Sequence, residues 1–225
     1  MARYGNLEKK YLSEAIESGN LFYANGKFTK KLTDRVKKYF NIEYAALMSS
    51  GTAALHCAIG ALQIPPGFEV ITSPITDMGT LIGILYQNLI PVFADVDPHT
   101  YNMTADSIKK VITERTRAII VVHLAANPAE MNSIMELAEE YKLFVIEDCA
   151  QSYGAKIGQK YVGTFGHIGC YSLNAYKHIS CGDGGFLITH NKEIYQKAFN
   201  FADKNYDRLQ LNDRLNSLEI GRAHV

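Results

Sequence analysis

Along the first forty residues, apolar positions recur three or four apart among charges, over Glu8–Ser18 and again over Thr29–Phe40. That spacing predicts two helices, joined at Asn25-Gly26, a turn pair. After Tyr44 the texture changes to short β-rich runs separated by helical stretches. Strands are predicted at Ala45–Met48, Glu69–Thr72, Pro91–Ala94, Ala118–Val122, Leu143–Ile146, Gly169–Leu173 and Gly185–Thr189. Helices are predicted between them at Thr52–Leu62, Thr76–Gln87, Thr104–Ile112 and Ala129–Tyr141. Such alternation predicts an α/β protein with a mostly parallel seven-stranded sheet sandwiched by helices, because each parallel connection must cross over and does so most simply as a helix. Ligands in such sheets gather at the carboxyl ends of the strands.

Composition narrows this picture. The 225 residues suffice for one large domain with a real core. Lys plus Arg and Asp plus Glu both number 23, with no basic stripe, so nucleic acid is not an expected partner. The best apolar stretch, Thr80 to Phe93, is broken by Gln87 and Asn88 and is too short to span a bilayer, so a cytoplasmic protein without membrane association is expected. Cys57, Cys149, Cys170 and Cys181 lack the spacing of zinc sites; no metal is expected, and the four read as small core residues in a reducing compartment.

Three clusters carry candidate chemistry. Ser49-Ser50-Gly51-Thr52 lies between the strand ending at Met48 and the helix after it. Small residues at such a turn leave backbone N–H groups free, which suits a phosphate; the same residues also make a good helix cap. Glu147-Asp148-Cys149-Ala150-Gln151 follows the apolar run Leu143–Ile146. An acid there costs free energy unless it is paired. A protonated pyridine nitrogen is one possible partner and a group within the protein another. The third cluster runs from Gly169 through Lys177 to Ser180, followed by Gly182-Asp183-Gly184-Gly185. A lysine among apolar and small residues can be held partly desolvated, as Schiff-base chemistry requires; a solvated loop lysine is the plain alternative. His123 reads as a hydrogen-bonded core histidine. Glu147 reads as structural, because strand side chains alternate between faces.

In order along the chain stand Ser-Gly-Thr-Ala-Ala-Leu from Ser50, Val-Phe-Ala-Asp-Val-Asp from Val92, Arg-Ala-Ile-Ile-Val-Val-His-Leu from Arg117, Ile-Glu-Asp-Cys-Ala-Gln from Ile146, Tyr-Ser-Leu-Asn-Ala-Tyr-Lys from Tyr171, and Gly-Asp-Gly-Gly from Gly182. From about Leu7 to Glu219 the chain resembles the DegT/DnrJ/StrS family of sugar aminotransferases, which depend on pyridoxal 5'-phosphate (PLP) and have the fold type I architecture. The resemblance implies that Lys177 holds the cofactor covalently and then shuttles a proton between its C4′ and the substrate carbon. It implies that Asp148 pairs with the pyridine nitrogen and that Gln151 lies beside the phenolic oxygen. Gly51, Thr52 and Ser172 would hold the phosphate, and Asn174 would line the pocket for cofactor and substrate. Asn212, in Asn212-Asp213-Arg214-Leu215, would reach the neighbouring subunit's phosphate site. A homodimer with shared sites follows, as does two-step transamination in which glutamate (or glutamine) gives its amino group to PLP and a keto-sugar, usually on a nucleoside diphosphate, receives it.

The chain departs from the family at several points. Asp77 stands where an aromatic residue generally stacks on the pyridine, which makes it a candidate substrate contact unless a register shift brings Met78 over the ring. Phe68 replaces the usual Asp and Ala126 a common Gly, both expected to affect local turns only. Family members are much longer, with a C-terminal small domain, and the residues Ile220 to Val225 read like a translated sequencing adaptor. The expected organisation is a helical segment over 1–40, the PLP-binding large domain over 41–219, a non-native tail over 220–225, and a missing small domain. Another enzyme of this fold class, such as an amino-acid-type aminotransferase or a carbon-sulfur lyase, would share the lysine and aspartate but not the Ser-Leu-Asn-Ala-Tyr-Lys setting; beyond it, two other functions compete. A sister group that dehydrates sugars carries histidine in place of the lysine, which sets Lys177 against His178. An inert regulatory homologue is the third reading, with Asp77 its suggestive feature.

Overall fold

The computed structural model describes residues 4–24 and 26–206. Asn25 of the turn pair, Asn212 and the segment 220–225 lie outside the described residues. The elements in chain order are α1 (Asn6–Glu17), α2 (Lys27–Phe40), β1 (Tyr44–Met48), α3 (Gly51–Ala61), β2 (Glu69–Thr72), α4 (Met78–Tyr86), β3 (Ile90–Phe93), α5 (Ala105–Lys109), β4 (Thr116–Val122), α6 (Met131–Glu140), β5 (Phe144–Asp148), β6 (Lys156–Ile157), β7 (Lys160–Tyr161), β8 (Ile168–Ser172), β9 (Gly185–Thr189) and α7 (Lys192–Ala202). A 3-10 turn, Leu124–Ala126, follows β4.

Seven strands form one sheet in the order β1-β9-β8-β5-β4-β2-β3, and β6 and β7 form a separate hairpin. The run from β8 to β3 is parallel, while β9 is antiparallel to both β8 and β1. Alternation of side chains sends Ala118 and Ile120 of β4 and Ile146 of β5 to one face, where α3, α4 and α7 cover them. Ile119, Val121 and Val145 go to the other face, under α5 and α6. On that second face α2 covers the β1, β8 and β9 end with Val36 and Phe40. The sheet is therefore sandwiched, as the helix and strand alternation predicts.

Differences from expectation are local. β5 runs two residues past Ile146, because Glu147 and Asp148 continue the ladder with β4 and with Gly169 and Cys170 of β8. Backbone pairing is indifferent to the change from apolar to acidic side chains. The helix α4 starts at Met78 and not at Thr76, since Asp77 is its N-cap. The helix α7 was not expected; Asn191 caps it by accepting from the N–H groups of Glu193 and Ile194.

Candidate active site

A cavity of about 420 Å³ opens at the carboxyl ends of β5 and β8, against the N-termini of α3 and α4. That volume lies within the range of small-molecule sites, roughly 300–1,000 Å³. On its wall stand Gly51, Thr52, Asp77, Asp148, Gln151, Ser172, Asn174 and Lys177, eight of the nine residues singled out from sequence. The ninth, Asn212, lies outside the described residues. Met78 is exposed and is not on this wall, so the register shift that would bring it there does not occur.

The acid sits deep. Asp148 shares its side of the sheet with Ile146, facing α4, whereas Glu147 faces away. Thr80 of α4 donates its hydroxyl to Asp148 Oδ2 at 2.7 Å, and the Ala150 N–H donates to Oδ1 at 3.0 Å. Burial pushes the Asp148 carboxyl up, and the Thr80 and Ala150 hydrogen bonds pull it back in part. With the Thr80 proton committed to the carboxylate, Thr76, 2.6 Å from Thr80 Oγ1, must be the donor of that pair. Neither Thr76 nor Thr80 was singled out from sequence. Their signal was only a pair of threonines four apart across a helix start, with no indication of a partner 68 residues away.

The opposite neighbour, Glu147, is fully used within the protein. Its Oε1 accepts from the N–H groups of Phe165 and Gly166, and its Oε2 from Gly163 N–H and His123 Nε2. Four hydrogen bonds fill the acceptor positions of one carboxylate. The Nδ1 of His123 accepts from Ala129 N–H, which places the ring proton on Nε2. The ligand atoms of His123, Glu147 and Cys149 lie within 4.8 Å of one another, but these hydrogen bonds already occupy both imidazole nitrogens and the carboxylate. Both residues are structural, as their sequence positions suggested.

At the far end of the cavity, Ser50 caps α3 by accepting from Ala53 N–H at 3.0 Å. The N–H groups of Gly51 and Thr52 belong to the first helical turn and have no intrahelical acceptor. A Cβ on Gly51 would stand 2.8 Å from Cβ of Ser172, so glycine permits β8 to close on the turn. A Cβ on Gly79 would likewise stand 2.6 Å from Thr52 Oγ1. Asp77 Oδ1 accepts from Gly79 N–H at 2.7 Å, so the acid on the cavity wall has a capping role as well.

Lys177 is half-buried at the mouth, in a turn closed by its own N–H donating to Asn174 O at 2.9 Å. The carboxamide of Asn174 accepts from Tyr176 N–H at 3.1 Å. Gln151 Oε1 accepts from Ala125 N–H at 3.0 Å, which leaves the Gln151 NH₂ as the donor end. His178 is exposed in a neighbouring opening with Ala125 and Ala126, whereas Lys177 reaches both openings. The site thus combines a helix start whose first N–H groups have no intrahelical acceptor, a buried carboxyl, an oriented amide and a half-buried amine. A phosphorylated pyridine aldehyde such as PLP fits this donor set.

Comparisons agree with that reading. Residues 3–222 match the DegT/DnrJ/EryC1/StrS aminotransferase family. GDP-perosamine synthase of Escherichia coli O157:H7 is 39% identical over 194 residues, which are 86% of this chain and 53% of that protein. Among solved structures, an aminotransferase from Psychrobacter cryohalolentis superposes with a TM-score of 0.86 at 35% identity, over 89% of this chain and 51% of the other. NtdA from Bacillus subtilis, solved with its cofactor PMP, gives 0.82 at 30% identity, over 88% and 45%. The chain spans about half the length of the relatives it matches. On the extent of the family match, together with the sheet and the cavity at its strand ends, the chain belongs to the DegT/DnrJ/EryC1/StrS aminotransferase family.

Proposed function

We propose that this chain is the cofactor-binding large domain of a PLP-dependent aminotransferase that moves an amino group from glutamate to a keto-sugar, most simply one carried on a nucleoside diphosphate. The observation that carries the reading is that the buried Asp148 and the half-buried Lys177 line one cavity, with the Gly51-Thr52 helix start on the same wall. PLP, when bound, supplies an electron sink for transfer of an amino group.

The residues divide the remaining work. Asp148 has an acceptor position left on each oxygen and would hold a ring N–H, its charge favoured by the Thr80 hydroxyl. Gly51 and Thr52 would bind phosphate through N–H groups at a helix start, with the Ser172 hydroxyl beside them. The Gln151 NH₂ would donate to the phenolic oxygen. Lys177 would hold the cofactor through Nζ and, once released, carry a proton at Nζ to and from the substrate carbon. Asn174 and Asp77 would meet the substrate at the rim. Lys177, and not His178, lies on the wall that includes Asp148, which favours transamination over dehydration.

A homodimer in the cytoplasm completes the proposal. The helix α4 is apolar nearly all round, yet Met78, Leu85 and Tyr86 are exposed along it, a surface that a second copy would cover. Cys57, Cys149 and Cys170 are buried free thiols, whereas Cys181, expected in the core with them, is an exposed one; free thiols are in keeping with a reducing compartment. The complete reading frame, expressed with and without Lys177→Ala, provides the test. The expected results are a visible absorption band with PLP that the variant lacks, bleaching by glutamate, and amination of a keto-sugar. Bleaching only by a sugar nucleotide would favour the dehydratase reading, and no band at all the inert one.

A further inference from the structure

Two consecutive non-glycine residues beside the cavity adopt the left-handed backbone: Ala125 with φ 50° and Ala126 with φ 64°. Alanine resists this conformation, so the pair must be held by its surroundings. One buried side chain grips both ends. Asn102, 3% exposed, accepts from Leu124 N–H through Oδ1 at 3.2 Å, just before the pair. Its Nδ2 donates to Asn127 O at 2.9 Å, just after it. The Asn127 N–H closes the turn on Leu124 O at 2.8 Å, and its side chain donates to Thr100 O at 3.3 Å.

The held turn has one outward product. It aims the Ala125 N–H at Gln151 Oε1. A carboxamide has two nearly isosteric ends, and only the oxygen can face an N–H donor; the NH₂ is therefore turned the other way. We propose that Asn102 is a positioning residue: through the strained Ala125-Ala126 turn it fixes the orientation of Gln151, and with it a hydrogen-bond donor in the cavity. Asn102 itself is not on the cavity wall. The inference rests on the proposed function only in taking Gln151 to face the cofactor's phenolic oxygen.

Two readouts separate the inference from that reading. Without cofactor, Asn102→Ala should speed hydrogen exchange at the Ala125 amide by roughly tenfold and shift the Gln151 side-chain amide signals in NMR. With PLP bound, Asn102→Ala should keep the visible band while moving its titration midpoint in the direction Gln151→Ala moves it. The double variant should match Gln151→Ala alone, because the effects act in series. Asn102→Asp, which keeps the acceptor for Leu124 but loses the donor to Asn127, is the second variant should Asn102→Ala not fold, and should move both readouts part of the way. Unchanged Gln151 signals, or midpoint shifts that simply add, would overturn the positioning role whatever the cofactor does. Altered Gln151 signals in a chain that forms no band with PLP would leave the positioning role standing and remove the proposed function.

Discussion

At Asp148 a single carboxyl sets stability against chemistry. Burial raises its pKa above the ordinary 3.8, so the folded state binds its proton more tightly than the unfolded chain does. Folding stability from this group is then present below pH 3.8 and is lost as pH rises through the folded value. Without cofactor, Asp148→Asn should therefore raise the urea midpoint at about pH 8 and leave it unchanged in acid. Equal midpoints for the two proteins at both pH values would contradict a carboxyl whose pKa is raised by burial. Much of this site was legible from residue order: the acid after an apolar run, the small residues before a helix and the lysine before glycines. Thr80 and Asn102 were not. A hydroxyl on an apolar helix and an amide in a connecting loop acquire their partners only when the chain brings together residues far apart in sequence, and no local pattern encodes that meeting.

Among the elements, α4 joins fold and site most directly, since its N-cap and its first turn both face the cavity. Asp77 holds the Gly79 N–H, and Asp77→Ala should cost about 1 kcal/mol in chemical denaturation. Asp77→Asn keeps a capping oxygen and should be nearly neutral in stability. If the carboxylate also meets substrate, as proposed, the asparagine variant should raise KM for the keto-sugar while its half-reaction with glutamate is unaltered. An unchanged KM would leave Asp77 a cap only. The strands that flank this helix were predicted well because each is a short apolar run bounded by turn residues. The hairpin of β6 and β7 has two residues in each strand, too few for any period to show. The helix α7 did carry a signal, Asn191 as cap and apolar residues at Ile194, Ala198 and Ala202, spaced four apart.

For the molecule as a whole, the exposed apolar side of α4 bears on assembly. Leu85→Asp in the complete protein should shift sedimentation from dimer to monomer without altering the circular dichroism. A wild-type protein already monomeric at micromolar concentration would remove the dimer from the proposal. The α/β class and the helices on both faces were readable from alternation alone, whereas strand order was not, because periodicity says nothing about which strands become neighbours. That order has a consequence for biosynthesis. The first strand of the sheet to leave the ribosome, β1, has β9 as its neighbour in the sheet, and the two are some 140 residues apart in the chain. The turn after β1, the proposed phosphate grip, must wait for that pairing and for Ser172 to close on Gly51. During translation the anchoring end of the pocket is thus finished last, after the lysine loop has emerged, and a nascent chain halted before Gly185 could not yet assemble it.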